Sequence, residues 1–409
     1  MISIPSFAKV NLGLKIGPVR PDGFHELRTI YQTLALHDVV RIEVHSGSGV
    51  EIRCNDPRVP LDESNTCYKV AERMLRLVEK QIPRGLKPAR DDNEKGVASG
   101  AAEAAPLQGK ISGAIEAAPL QNRTHTGAGR IVIEIEKRLP VQGGMGAASS
   151  NAIAAMLGLE RALGVQLAMA DKLRIAAEVG SDLPLFLIGG TVLGMGRGEE
   201  VYTLRDLLVS HVVVVTPPVG VSTPKAFAQW DVLVARPDTP LASPAAKSEA
   251  ALTVADATGT ISKFSESVFA WLSESFPQAG FPTSPAFGLG GVKVGPASGV
   301  PAGGGDRAET PLLDLVRAGI ENDFERVVFP EYPELREVKE LLQRAGAQYA
   351  SLSGSGSTLY GLFACAEDAQ GAAERMRAAG HAAVATTTLT RGEYWKAMEA
   401  ASFEPRASG

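Results

Sequence analysis

From Leu139 to Asn151 the chain reads LPVQGGMGAASSN, and no other stretch limits the possible folds as much. Ahead of it, Ile133 and Ile135 alternate with Glu134 and Glu136 within Ile131–Lys137, a strand pattern. Behind it, Ile153, Met156, Leu157 and Leu163 recur at helical spacing until Gly164. A loop of this kind, feeding a helix, presents unpaired backbone N–H groups and the positive end of the helix dipole. Phosphate oxygens fit such a place. Ser149 and Ser150 can cap the helix, or bond a phosphate or its metal ion. No lysine follows the glycines, so this is not the G-x-x-x-x-G-K-[ST] loop. The residues alone leave a second reading open, a tight strand-to-helix turn that needs glycine only for its backbone.

Elsewhere the first half alternates in strand fashion. Val40, Ile42 and Val44 interleave with Arg41, Glu43 and His45, and Val50, Ile52 and Cys54 with Glu51 and Arg53. A mostly antiparallel sheet is expected. Val70, Met74, Leu75 and Val78 then mark a helix that ends before Pro83. From 83 to 129 the chain turns rich in Ala, Gly, Pro and charge, with SGAAEAAPLQ at Ser99–Gln108 repeated as SGAIEAAPLQ at Ser112–Gln121. Such a duplication reads as a solvated, irregular insertion. A second irregular stretch covers about 235–306, with a helix expected at Phe264–Phe276 inside it. The remainder supplies helices near Leu312–Ile320 and Pro333–Ala345, strands at Tyr349–Leu352 and Thr358–Ala364, a helix after Glu367, a strand near Ala382–Leu389 and a closing helix. With the strand-like run His211–Thr216, that alternation implies an α+β sandwich of ferredoxin-like type. The boundary between two domains is placed near Leu207–Ser210, giving domains of 1–210 and 211–409.

Charge and cysteine usage narrow the partners. The net charge is -5, from 41 basic and 46 acidic side chains, which gives no electrostatic reason to expect nucleic acid or an anionic membrane. Cys54, Cys67 and Cys365 are scattered and form no C-x-x-C pair, so neither a disulfide framework nor a zinc site is expected. There is no signal-peptide pattern at Met1 and no long apolar run, and a cytoplasmic location is expected.

Three further segments carry chemistry-bearing residues. Pro5–Leu14 reads PSFAKVNLGL and Arg20–Leu27 reads RPDGFHEL, with Lys9 and Asn11 on one face of a strand. Gly180–Leu187 reads GSDLPLFL, and Ser351–Phe363 reads SLSGSGSTLYGLF. Taken singly, Lys9 reads as an exposed strand lysine, Asp182 as a turn or cap residue, and the Gly/Ser run as a hairpin loop. Together and in this order they resemble the galactokinase–homoserine kinase–mevalonate kinase–phosphomevalonate kinase (GHMP) superfamily. The opening resembles its branch acting on diphosphocytidyl-methylerythritol, which typically reads A-K-[VI]-N-L and then R-x-D-G-[YF]-H. The stretch Glu321–Glu325 also resembles the N-D-[LF]-E of that family.

The resemblance implies a two-domain α+β GHMP kinase fold, with an N-terminal ribosomal-protein-S5-domain-2-like domain and a C-terminal ferredoxin-like α/β sandwich. It implies an ATP-dependent kinase of a small-molecule alcohol, with Mg²⁺ accompanying ATP through ligands that the sequence does not single out. Asp182 matches the catalytic aspartate, and Lys9 would stabilise the developing alkoxide. Pro140, Val141, Gln142, Gly143, Gly144, Met145, Gly146, Ala147, Ala148, Ser149 and Ser150 match the phosphate-binding motif. Gln142, Ala147 and Ala148 stand where the branch usually has glycine, and the alanines suit a helix that already begins there. Asn65 and Lys137 fall near positions that touch ATP. Asn11, Phe24, His25 and Phe227 match substrate contacts, the phenylalanines by stacking on a base; read alone, each phenylalanine more often serves core packing. Homoserine- or mevalonate-type kinases, and a silent nucleotide binder, are the alternatives.

Overall fold

The computed structural model describes residues 1–81, 129–141, 143–207, 209–235 and 321–400. The repeat at 99–121, Gln142 and the helices expected at 264–276 and 312–320 lie outside them.

Two strands much longer than the alternating pattern suggested dominate the first layer, β1 (Ile2–Val19) and β2 (His25–His45). They pair antiparallel along their length, with register shifts between Phe7 and Lys9 and between Asn11 and Gly13. Bulges of this kind bend a strand and re-aim its side chains. Here they bracket Lys9, Val10 and Asn11, which face Thr33, Gln32 and Tyr31. β3 (Val50–Cys54), β4 (Arg130–Glu136), β5 (Thr191–Met195) and β6 (Glu200–Thr203) complete a sheet ordered β3-β4-β2-β5-β6 with β1 on β2. The expected antiparallel pairing holds except between β3 and β4, which are parallel. The hairpin β5–β6 carries no period-two signal because glycines interrupt it at Gly194, Gly196 and Gly198.

Helices α1 (Thr66–Gln81), α2 (Ala147–Leu163) and α3 (Met169–Val179) cover this sheet, followed by the single turn α4 (Leu183–Phe186). Val70 and Met74 of α1, Ile153 and Met156 of α2, and Ile42, Ile131 and Ile133 of the sheet share one core, all within 1% exposure. Leu75 and Val78 pack against its margin.

The second layer is antiparallel throughout, ordered β10-β7-β9-β8: β7 (His211–Thr216), β8 (Tyr349–Leu352), β9 (Leu359–Phe363) and β10 (Ala382–Thr387). Around it lie α5 (Thr223–Val234), α6 (Glu325–Glu331), α7 (Pro333–Arg344) and α8 (Ala366–Ala378). Successive side chains of a strand point to opposite faces, and β7 uses both. Val213 and Val215 enter the core beneath α7 and α8, whereas Val212 and Val214 join Ala8, Val10, Leu12, Ile30 and Leu34 of the first layer. The two layers therefore meet through a core of their own. The closing helix α9 (Arg391–Glu399) packs on the first layer rather than the second, with Tyr394 and Met398 in the first core and the Tyr394 hydroxyl donating to Phe186 O at 2.6 Å. Among the described residues no helix is long and apolar enough to cross a membrane.

Candidate active site

Period two puts Lys9 and Asn11 on one face of β1, and the bulges turn that face toward α4. Lys9 Nζ donates to Asn11 Oδ1 at 2.7 Å and lies 3.3 Å from Asp182 Oδ2. The lysine side chain is 4% exposed and the aspartate's 33%, so a buried ammonium meets a carboxylate at a solvent opening. Such an ammonium is costly to bury without partners, and Asn11 and Asp182 supply them. Asn11 is held in turn: its Nδ2 donates to Thr29 Oγ1, which donates to Gly13 O.

Asp182 stands immediately before α4, whose Pro184 sets the first turn and whose Leu183, Leu185 and Phe186 are buried. Its carboxylate makes no capping bond to that helix. A turn or cap residue would spend its oxygens there; this one turns them to Lys9 and to the hydroxyl of Tyr31. Tyr31 did not emerge from the sequence. Only the β1–β2 register, which sets it opposite Asn11, brings it to the site.

The glycine segment departs from the sequence reading in one respect. The helix begins at Ala147, and its cap is Gly146 in the left-handed region (φ 67°), with no side-chain hydrogen bond. Ser149 and Ser150 lie inside the first turn and cannot be the cap. Ser150 N donates to Gly146 O, which leaves the amides of Ala147, Ala148 and Ser149 at the positive end of a helix of 17 residues. Ala147 and Ala148 sit within the helix, where alanine is the best former.

The Gly/Ser run between β8 and β9 closes on this loop. Ser353 Oγ donates to Gly144 O at 3.0 Å and Thr358 N to Gly143 O at 3.3 Å. Gly144 has φ +76°, and a Cβ there would fall 2.2 Å from Ser353 O. Only glycine allows that backbone and that approach together. Asn322 pins the run from behind, donating to Leu352 O and Gly354 O at 2.8 Å each.

Beside the loop opens a cavity of about 370 Å³. Pro140, Val141, Gly143, Gly144, Met145, Gly146, Ala147, Ala148 and Ser149 form one wall; Asn65, Cys67, Lys137 and the 58–60 segment form the other. Ser150 is not at its surface and is 2% exposed. Asn65 and Lys137 reach the wall with side chains already engaged. Asn65 accepts from Cys67 N at the start of α1 and donates to Pro60 O. Lys137 Nζ lies 2.6 Å from the fully buried Asp38 carboxylate. Arg58 and Pro60 line the cavity without having been singled out by sequence, since they belong to a loop with no periodic signal, whereas Cys67 lines it from the first turn of α1. The cavity and the Lys9–Asp182 pair are joined, since Lys9 N donates to Met145 O at 3.0 Å and a Cβ on Gly146 would meet Lys9 Cγ at 3.1 Å. Among the described residues, no cluster of three His, Cys, Asp or Glu could hold a metal ion.

Four aromatic rings gather near the turn between β1 and β2, where β2 meets α5 and the start of α6. Phe24 is 52% exposed and carries the Arg197 guanidinium 4.8 Å above its ring. His25 stacks on Phe227 with centroids 4.8 Å apart, and its Nε2 lies 2.7 Å from Asp231 Oδ1. Phe227 meets Phe324 edge-on at 4.9 Å. The Phe227 face is thus shared with His25 rather than standing open opposite Phe24. Asp231 follows Phe227 by one helical turn on α5.

The model of the GHMP kinases N terminal domain matches residues 111–190, and that of GHMP kinases C terminal matches residues 309–382. The 4-diphosphocytidyl-2-C-methyl-D-erythritol kinase of Acaryochloris marina (strain MBIC 11017) is 28% identical over 356 residues, 87% of this chain and 84% of that one. Its counterpart from Nocardia farcinica (strain IFM 10152) is 33% identical over 241 residues, 59% of this chain and 62% of that one. A crystal structure of 4-(cytidine 5'-diphospho)-2C-methyl-D-erythritol kinase superposes with a TM-score of 0.57 at 22% identity, covering 95% of this chain and 99% of that one. This likeness bears on the fold, which is that of the GHMP kinases in both layers.

Proposed function

We propose, from the premise that this chain is a GHMP kinase, that it uses ATP to phosphorylate the 2-hydroxyl of 4-diphosphocytidyl-2-C-methyl-D-erythritol, a step toward isoprenoid precursors by the non-mevalonate route. The observation that carries the reading is the Lys9–Asp182 pair at 3.3 Å, tied through Met145 O to the glycine loop that opens α2.

Phosphoryl transfer leaves little covalent work to the protein; positioning and charge stabilisation do most of it. The triphosphate lies along the 143–149 loop, with its γ-phosphate toward Gly146 and Lys9. The alcohol oxygen attacks the γ-phosphorus, its proton passes to the Asp182 carboxylate, and the bond to the bridging oxygen of ADP breaks. Lys9 balances the negative charge that grows on the attacking oxygen, and Asn11 holds Lys9 in place. Mg²⁺ accompanies the phosphates and offsets their charge when bound. The rings of Phe24, His25 and Phe227 take the cytosine end of the substrate, with Phe24 the exposed platform. Substrate and product are small charged molecules with no need of nucleic acid or membrane, which suits work in the cytoplasm.

The test is ADP release from Mg-ATP in the presence of the diphosphocytidyl alcohol, with mevalonate and homoserine as competitors for the assignment. Turnover is expected with the first alone, and Asp182→Ala should lower kcat by about 10²–10⁴. Turnover only with another alcohol would sink the substrate. ATP binding with no turnover on any of the three would leave a silent nucleotide binder.

A further inference from the structure

Tyr31 sits on β2 directly opposite Asn11 of β1 and is 2% exposed. Its hydroxyl donates to Asp182 Oδ1 at 3.1 Å, while the other carboxylate oxygen, Oδ2, faces Lys9 Nζ at 3.3 Å. The same ammonium lies 5.4 Å from the Tyr31 ring centroid, within reach of its π-face. One tyrosine thus touches both members of the pair.

The slot that holds this ring is built for it. A Cβ on Gly194 would fall 2.4 Å from Tyr31 Cε2, and one on Gly198, at φ +103°, would fall 2.5 Å from the phenol oxygen. Both glycines belong to the β5–β6 hairpin, on which no catalytic role has been placed. Phenylalanine would fill the slot equally well if packing were all that mattered. A buried hydroxyl is costly unless it is bonded, and this one spends its proton on Asp182. Burial first, and the Asp182 charge second, push the phenol well above its ordinary range, so it stays a neutral donor.

We infer that Tyr31 is a positioning residue that fixes the Asp182 carboxylate for proton acceptance. The inference rests on the kinase reading. Asp182 is part-exposed and uncapped, so its carboxylate could otherwise rotate. Lys9 on one oxygen and Tyr31 on the other fix its plane, and each oxygen keeps a lone pair for the alcohol.

The experiment measures steady-state turnover of the full chain with Mg-ATP and the diphosphocytidyl alcohol, for the unaltered protein, Tyr31→Phe, Asp182→Asn and the double variant. Tyr31→Phe should lower kcat by about 10-fold, the worth of a hydrogen bond to a charged group. KM for both substrates should stay within about 2-fold. In the Asp182→Asn background the same change should cost nothing further, since residues acting as one unit are non-additive. Gly198→Ala displaces the phenol oxygen while leaving the ring and the carboxylate chemically intact, and should lower kcat alike. An equal loss in both backgrounds would make Tyr31 merely structural, and an unchanged kcat in Tyr31→Phe would overturn the inference alone. If the unaltered chain turns over none of the alcohols, the kinase reading falls and takes the inference with it.

Discussion

At the scale of single residues, the site is a set of polar groups that are buried only because each has a partner. Lys9, Asn11, Thr29 and Tyr31 are all within 3% exposure, and hydrogen bonds or ion pairs link each of them into the group around Asp182. In a low-dielectric setting such networks are rigid when complete and costly when broken. Gly144 plays a different part, as a backbone position in the loop where a side chain is excluded twice over, by its positive φ and by Ser353 O. Gly144→Ala should therefore weaken ATP binding by about 10-fold or more, from strain of roughly 1–3 kcal/mol added to the displaced carbonyl. Nucleotide titration of the purified variant reads this directly. Affinity equal to the unaltered protein would mean that the loop is not the phosphate cradle.

At the scale of elements, the site around Lys9 and Asp182 is braced by a clip between layers. Leu14 N donates to Glu321 O and Asp323 N to Leu14 O, so residues 321–323 pair with β1 a few positions beyond Asn11. Lys15 Nζ meets Asp323 Oδ1 at 3.1 Å, and Ile16 N donates to Asp323 Oδ2. Burial pushes the Asp323 carboxyl up, while Lys15 and the Ile16 amide oppose that shift. The neighbouring Asn322 holds Leu352 O and Gly354 O, the base of the run that leans on Gly144. Asn322→Ala would take the Asn322 amide from both carbonyls, leaving Leu352 O with the 3.4 Å bond from Ser351 Oγ, and would remove the acceptor of the Phe324 amide. The expected cost is about 3 kcal/mol of stability, with KM for ATP raised several-fold and kcat less affected. Denaturant unfolding and steady-state kinetics on the same preparation check the two effects. A stability loss with unchanged KM would show that the clip serves folding only.

At the scale of the whole molecule, the two sheets are not independent units. The core between them takes Ala8, Val10, Leu12, Ile30 and Leu34 from one layer and Val212, Val214, Tyr360 and Leu362 from the other, all within 3% exposure. The closing helix, last in sequence, returns to the first layer, where Trp395 Nε1 donates to Ile188 O at 2.9 Å. Neither layer can unfold without exposing apolar surface of the other. Unfolding should therefore be one transition, with tryptophan fluorescence and far-UV dichroism coincident. Saturating ATP should raise its midpoint, by mass action on the folded state. Two separated transitions would contradict the shared core.

Much of this was legible in the residues themselves. Alternation marked β3, β4 and the end of β2, and helical spacing marked α1 and α2, because local geometry dictates which positions must be apolar. Lys9, Asp182 and the glycine loop were singled out by motif, and the fold sets them side by side. The long strands β1 and β2 were cut short, since residues buried on both faces show no alternation. Tyr31, Asp231 and Arg58 were not found at all, because a partner distant in sequence gives such residues their meaning. The sequence by itself determined the local elements and the residue types available for chemistry, as both follow from backbone sterics and side-chain character. Only the tertiary structure decided which oxygen of Asp182 faces Lys9 and which faces Tyr31, and that Asn65 and Lys137 are already engaged. Hydrogen bonds and ion pairs depend on distances of tenths of an ångström, and those are set where strands, bulges and layers meet.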